Sequence, residues 1–164
     1  MNNDKVMENL VTNWGLPKCL ERDKEHIIFK FDDEGITGTS ERGYHCNVRD
    51  VKFCLYNERT DKVVFSMDFF KGSPSLPGRH MSRIVLELLY VHDESLRRKG
   101  VASYYFNRLR EYALEEKVKC IYVRADANAN NFKNDDRLNA LNQTELEMFY
   151  KIKSTLEMPV YVES

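Results

Sequence analysis

The sequence predicts an α+β fold, a mixed sheet in which antiparallel N-terminal strands lead into a central parallel pair, with helices flanking it. Two apolar segments, 50–56 and 62–70, are separated by the polar stretch NERTD, which is typical of an antiparallel hairpin. An apolar run at 82–93, a helical pattern at 101–116 and a Val- and Ile-rich run at 118–125 follow in that order. The succession of strand, helix and strand predicts a right-handed crossover between parallel strands.

Each remaining element of the first half of the chain has a local signal. Asp4 is placed to cap a short N-terminal helix that a glycine and a proline end. We expect a strand over residues 26–31, and a loop over 71–78 because that stretch contains two prolines and two glycines. The helix over 101–116 is predicted by apolar side chains that recur on one face. These side chains are Val101, Ala102, Tyr105, Phe106, Leu109, Tyr112 and Ala113.

The C-terminal part of the chain is more polar. Residues 127–143 are rich in asparagine and predict an extended loop. Thr144 and Glu147 have the spacing of a capping box, which predicts a helix that opens there and runs to about residue 156. Residues 158–163 predict one short final strand.

Length and composition indicate one globular domain over residues 1–164, since 42% of the residues are apolar and 31% are charged. The chain has 25 Lys and Arg against 26 Asp and Glu, and this balance argues against a general nucleic-acid or membrane-surface partner. None of the four cysteines belongs to a C-x-x-C pair, so we expect reduced thiols and no metal site. The start of the chain lacks the apolar core of a signal peptide, and we therefore expect a cytoplasmic location.

A basic stretch, ESLRRKG, lies at the junction between the central strand and the following helix. A helix start exposes backbone N–H groups and the positive end of the helix dipole, so negative ligands, and phosphate above all, are favoured there. Gly100 and Ala102 let such a group approach the backbone closely. The alternative is a solvated basic turn, but the position between an apolar strand and an amphipathic helix favours a phosphate site.

The stretch LELLYVHDESLRRKGVASYYFNRLREYA resembles the core of the Gcn5-related N-acetyltransferases. The signature of that family is Arg/Gln-x-x-Gly-x-Gly/Ala between a strand and a helix, and it is matched here by Arg97, Gly100 and Ala102. The later EMFYKIK resembles a helix that often carries Phe-Tyr in this fold. The resemblance covers residues 82–157, whereas the N-terminal half is similar only in its order of elements. The polar loop at 127–143 is longer than usual, and the usual C-terminal hairpin is reduced to a single strand.

The resemblance implies acetyl-CoA as the cofactor. It implies that its diphosphate is bound by backbone amides of the signature turn, namely Arg97, Arg98, Lys99, Gly100, Val101 and Ala102. It also implies that the two parallel strands splay apart and that the pantetheine arm lies between them, beside the backbone of Leu89, Tyr90 and Val91. Asn128 is a further candidate for contact with the cofactor.

The resemblance further implies direct transfer of an acetyl group to a primary amine of a small molecule or a peptide. Glu87 is the candidate general base, because an amine must lose a proton before it attacks. By strand alternation we expect Glu87 on the same face as Val85, Leu89 and Val91, where apolar neighbours would make the carboxylate a stronger base. The alternative is a glutamate in a wet groove or paired with a lysine.

Tyr150 is the candidate proton donor to the leaving thiolate, and its alternative role is packing in the core. His92 alternates away from Glu87 and is expected to be structural. Two other functions stay open from the sequence: a CoA-binding sensor or interaction module without turnover, and an acetyltransferase that acts on aminoacyl-tRNA. Because the sheet ends in one short strand, either the N-terminal strands or a strand from a second subunit would complete it, and we expect a homodimer.

Overall fold

The structure, a computed structural model, describes residues 3–36, 43–72, 82–124 and 142–163. Within these ranges one mixed sheet contains seven strands, which are β1 (Ile27–Lys30), β2 (His45–Cys46), β3 (Asp50–Asn57), β4 (Lys62–Gly72), β5 (Arg83–Val91), β6 (Cys120–Arg124) and β7 (Val160–Glu163). The α-helices in the same ranges are α1 (Lys5–Thr12), α2 (Val101–Glu115) and α3 (Gln143–Lys151). Asn128 and most of the predicted loop at 127–143 lie outside the described residues.

The order across the sheet is β1-β3-β4-β5-β6-β7, and β2 also pairs with β3. All pairs from β1 to β5 are antiparallel, whereas β5 with β6 and β6 with β7 are parallel. The hairpin of β3 and β4 and the parallel pair joined through α2 are both as the sequence predicts. The predicted α+β class, with antiparallel strands leading into a parallel pair, is therefore confirmed.

The three helices contribute to one main core on a single face of the sheet. The apolar side of α2 is buried there, with Tyr105 stacked on Phe65 at 4.8 Å between ring centroids. Trp14, just after α1, stacks on Phe69 at 5.9 Å, and Tyr150 of α3 lies 5.9 Å from Phe106. Side chains that alternate with these on the strands point to the opposite face of the sheet. We call it the helix-free face, because none of the α-helices among the described residues packs on it.

The capping box of α3 lies two residues earlier than the sequence predicts. Asn142 Oδ1 accepts a hydrogen bond from the Glu145 amide at 2.8 Å, and Glu145 Oε1 accepts one from the Asn142 amide at 3.1 Å. Asparagine caps a helix as well as threonine does, so both registers satisfy the local pattern. The helix also ends at Lys151 rather than near 156, because the chain then turns, with the Met158 amide donating to Thr155 Oγ1.

Several strands also differ in length from the predicted ones. β4 continues through Gly72 into the predicted loop, because it pairs with β5 as far as Arg83. β6 begins only at Cys120, since Lys117 adopts a left-handed turn with φ 59°. The two-residue strand β2 has no periodic pattern to predict it, as its pairing with β3 alone defines it.

The α-helices of the described ranges are all too short or too polar to span a bilayer.

Candidate cofactor site and active site

The turn that leads into α2 has an unusual backbone. After β5 ends at Val91, a short 3-10 turn at Glu94–Leu96 is followed by Arg98 with φ 64° and Gly100 with φ 95°. Both values lie in the left-handed region, which glycine enters without the steric cost that other residues meet. A Cβ at Gly100 would meet no heavy atom within 4 Å, so the space above this residue is open.

The amides at the start of α2 are available to a ligand. Asp4 caps α1 and Asn142 caps α3 with a side chain, whereas α2 begins at Gly100 without any side-chain cap. The first N–H groups of a helix have no partner within the helix. Left-handed residues in a turn also direct successive N–H groups into a concave anion-binding surface. The turn and the first residues of α2 therefore form a place where a diphosphate fits.

Arg97 is turned inward, away from this surface. Its side chain is only 6% exposed. Nε donates to the Val91 carbonyl at 2.9 Å, and Nη2 donates to the His92 carbonyl at 3.2 Å and to Tyr90 Oη at 3.0 Å. The guanidinium thus ties the turn to the end of β5, and the Arg97 amide, which the resemblance assigned to the diphosphate, donates instead to the Glu94 carbonyl at 3.3 Å. Arg98, in contrast, is largely exposed and forms an ion pair with Glu145 of α3 at 3.6 Å.

The described pairing of β5 with β6 ends before β5 reaches this turn. β5 and β6 are in register from Arg83 with Cys120 to Leu86 with Val123, and within the described residues β5 then continues to Val91 without a partner on β6. The backbone of Leu89, Tyr90 and Val91, which the sequence analysis assigns to the pantetheine arm, lies in the part of β5 beyond its described pairing with β6. An extended ligand could pair with it as an added strand would.

Glu87 lies at a β-bulge, and the prediction that its side chain shares a face with Leu89 and Val91 is wrong. Phe69 is opposite Leu86 and Asp68 is opposite Leu88, so Glu87 is the extra residue on β5. An extra residue shifts the two-residue alternation along the strand. Leu89 accordingly packs against the main core, whereas Glu87 reaches the helix-free face.

The negative charge of Glu87 is balanced by an arginine. Its carboxylate accepts a hydrogen bond from Arg124 Nη1 at 2.8 Å, and its side chain is 28% exposed. Arg124 also lies 3.8 Å from the carboxylate of Glu163 on β7. The structure thus shows the alternative arrangement, in which Glu87 pairs with a cation, and this cation is an arginine rather than the expected lysine.

A second carboxyl group, which the sequence analysis missed, lies on the same face. Asp68 is directly opposite Leu88, next to the bulge, and Lys52 is its cross-strand neighbour on β3. Burial raises the pKa of the Asp68 carboxyl to about 6, against the opposing effect of Lys52. The signal in the sequence was a single acid inside the apolar strand KVVFSMDFF.

A polar chain on the helix-free face continues from Arg97. The ring of Tyr90 is 4.9 Å from the ring of His92, at a right angle. His92 Nε2 lies 2.9 Å from Ser66 Oγ, which in turn lies 2.7 Å from the Tyr44 hydroxyl. His92 is therefore held in a hydrogen-bonded network, as expected for a structural histidine. It does not alternate away from Glu87 as predicted, because the bulge shifts the alternation and leaves both residues on the helix-free face. Tyr44 and Ser66 had no pattern in the sequence that would single them out.

Tyr150 is enclosed in the core at 4% exposure, between Phe106 and Phe149. Burial raises the pKa of its phenol, so the hydroxyl keeps its proton at neutral pH. The alternative role in core packing is thus fulfilled, and the structure does not test the role as proton donor. No group of three or more His, Cys, Asp or Glu side chains in the described part of the chain is arranged to hold a metal ion.

Comparison with known proteins gave matches to solved structures. No protein-family model matches the chain, and no curated protein matches it. An aminoglycoside acetyltransferase from an uncultured soil metagenomic sample, solved with trehalose, is 16% identical over 49% of this chain and 50% of its own, with a TM-score of 0.39. A second aminoglycoside acetyltransferase of that origin is 18% identical over 60% of this chain and 59% of its own, with a TM-score of 0.40.

A third match is an integron cassette protein from the mobile metagenome of V. cholerae, 16% identical over 68% of this chain and 59% of its own, with a TM-score of 0.44. The matched regions thus span 50% to 59% of these three chains. The chain is similar, over part of its fold, to two acetyltransferases and to a cassette protein.

Proposed function

We propose that the chain is an acetyl-CoA-dependent N-acetyltransferase of the Gcn5-related type. One observation carries the proposal: α2 has the left-handed Gly100 as its N-cap and no side-chain cap, and this helix start follows directly after the end of β5. A diphosphate would bind at the uncapped start of the helix, and an extended arm that carries amide groups would pair with the strand beside it. The resemblance of residues 82–157 to the family supports the same assignment.

The residues of this chain would hold the cofactor at its two ends. Backbone amides of Arg98, Gly100, Val101 and Ala102 would bind the diphosphate, since the Lys99 amide already donates to the Leu96 carbonyl at 3.3 Å. The backbone of Leu89 to Val91 would pair with the pantetheine arm. Acetyl-CoA supplies the activated acetyl group when it is bound. The inward guanidinium of Arg97 would keep the turn and the strand end in one fixed geometry, which favours a preorganised site.

Proton transfer would depend on groups on both faces of the sheet. Glu87 is the proposed acceptor of the amine proton, and the bulge directs it to the helix-free face beside Asp68. An amine acceptor is cationic before it reacts, so it would compete with Arg124 for the carboxylate of Glu87. Tyr150 stays the proposed proton donor, since a phenol that keeps its proton can serve only in that direction.

The experiment is a free-thiol release assay with acetyl-CoA against polyamines, aminoglycosides, amino acids and peptides. We expect thiol release that depends on one class of amine, and acetylation of that amine by mass spectrometry. If the chain binds acetyl-CoA but releases thiol with none of these amines, it is not an N-acetyltransferase for them, and the second function below takes its place.

A CoA-binding module without turnover is the second candidate. Two observations favour it: Arg124 already occupies the carboxylate of Glu87, and Tyr150 is enclosed. Substitutions Glu87→Gln and Tyr150→Phe separate the two functions. An N-acetyltransferase loses turnover in at least one of these variants, whereas a binding module keeps its affinity for CoA in both and never releases thiol.

A further inference from the structure

A polar stripe on α2 faces the chain that leaves α3. Ser103, Asn107 and Arg110 are spaced four and three residues apart, so they lie on one side of the helix. Lys153, two residues after α3, donates from Nζ to Ser103 Oγ at 3.0 Å. Arg110 donates from Nη1 to Asn107 Oδ1 at 3.2 Å, and from Nη2 to the Lys153 carbonyl.

This cluster carries two positive charges without a negative one. Within the described residues, neither Lys153 nor Arg110 forms an ion pair with a carboxylate. The Nε atom of Arg110 is buried and has no hydrogen-bond partner there. Burial, and then the charge of Arg110, lower the pKa of the Lys153 ammonium group. Two cations held together in this way would be stabilised by an anion.

The cluster adjoins the proposed diphosphate site. Ser103 is the third residue of α2, and three residues of helix rise by about 4.5 Å, so its hydroxyl lies within one helical turn of the amides at Gly100. The rings of Phe149 and Phe106 lie under the cations, at 5.1 Å from Lys153 Nζ and 5.5 Å from the Arg110 guanidinium carbon. These rings fix the two side chains at the side of the helix, so an anion bound here would be a second phosphoryl group close to the first.

We infer that Lys153, Arg110 and Ser103 bind the 3′-phosphate of coenzyme A, the group that distinguishes the cofactor from its dephospho form. The inference rests on the proposed function. An ammonium and a guanidinium group suit a phosphate dianion, the first as a point charge and the second as a planar fork. The Ser103 hydroxyl, which already accepts from Lys153, can donate its own proton to a phosphate oxygen.

The test is equilibrium binding by calorimetry, with coenzyme A, 3′-dephospho-coenzyme A and inorganic phosphate at constant ionic strength. We expect the parent protein to prefer coenzyme A to its dephospho form by about tenfold, as the loss of a charged hydrogen-bonded contact implies. The variant Lys153→Met should lose this preference by binding coenzyme A about tenfold more weakly, with its affinity for the dephospho form unchanged.

The matched control is Lys151→Met, which removes the same charge from the exposed last residue of α3 and should keep the preference. If Lys153→Met does not fold, Ser103→Ala provides the same comparison with no change of charge. A parent protein that binds both nucleotides equally overturns this inference and leaves the proposed function standing. Failure to bind either nucleotide overturns both. Inorganic phosphate that binds at millimolar concentration to the parent and not to Lys153→Met, without nucleotide discrimination, would make this a site for free anions instead.

Discussion

At the scale of single residues, the site depends on backbone conformation more than on charge. Of the three cations in the signature turn, Arg97 is committed to the end of β5 and Arg98 is paired with Glu145. Gly100, by contrast, gives α2 an uncapped start in a left-handed conformation. The affinity for a diphosphate should therefore respond more strongly to a change at Gly100 than to the loss of one exposed cation.

Gly100→Ala tests this dependence. Holding an alanine at φ 95° costs about 1–2 kcal/mol, which for a chain of this size lowers Tm by at least about 2–4 °C. If the turn instead relaxes, the amides move away from the diphosphate, and we expect the Kd for coenzyme A to rise by about tenfold. The control is Gly35→Ala, at a position with φ 76° and no heavy atom within 4 Å of the added Cβ. It should lower Tm without changing the Kd, and equal effects of the two variants on the Kd would contradict the site.

Glu87→Gln tests the proposed base. Loss of a general base slows proton transfer by about 10²–10⁴-fold, so we expect kcat to fall within that range while the Kd for coenzyme A stays unchanged. Glu163→Gln is the matched control, because Glu163 is the other carboxylate beside Arg124, at 3.8 Å, and lies on the edge strand β7. Equal rates for Glu87→Gln and the parent protein would exclude Glu87 as the base.

At the scale of elements, the helices and the long strands could be predicted because each has a repeat of side chains that its own backbone geometry imposes. The bulge at Glu87 could not, since a register shift depends on how β4 packs against β5 rather than on either segment alone. For the same reason the predicted strand was right, whereas the prediction that Glu87 shares a face with Leu89 and Val91 was wrong. The start of α3 was displaced because Asn142 and Thr144 are both good caps, and only the fold selects between them.

Asn142→Ala tests the observed cap of α3. Removing a capping side chain costs about 1 kcal/mol, so Tm should fall by about 2–4 °C in thermal unfolding followed by circular dichroism. Asn13→Ala is the control, because the Asn13 side chain is exposed and makes no hydrogen bond with the described residues. If Thr144→Ala lowers Tm more than Asn142→Ala does, the helix begins where the sequence pattern alone had placed it.

At the scale of the whole molecule, the two faces of the sheet differ in kind. The helices cover one face with a continuous apolar core, whereas the helix-free face carries the partly buried Asp68 and the pair of Glu87 with Arg124. A buried carboxyl group makes the stability of the fold depend on pH, because the native chain binds a proton that the unfolded chain has already released.

The sign of this dependence follows from the pKa of Asp68, which burial raises from 3.8 to about 6. Between these values the native state binds more protons than the unfolded state, so stability falls as pH rises from about 4 to about 6 and then stays lower. The effect of this group is on the order of 2–3 kcal/mol. We expect Asp68→Asn to gain this amount relative to the parent protein between pH 4 and pH 7, measured by urea unfolding. Parallel pH profiles of the two proteins would show that Asp68 titrates normally.

The guanidinium of Arg97 has one more consequence. Its guanidinium donates to two successive carbonyl oxygens, those of Val91 and His92, and to the Tyr90 hydroxyl. These hydrogen bonds hold the signature turn against the end of β5. A lysine in its place would keep the charge and lose that geometry, so the join would loosen although electrostatics hardly changed. If a nucleotide binds to the loop as proposed, any displacement of the loop would therefore also displace the end of β5.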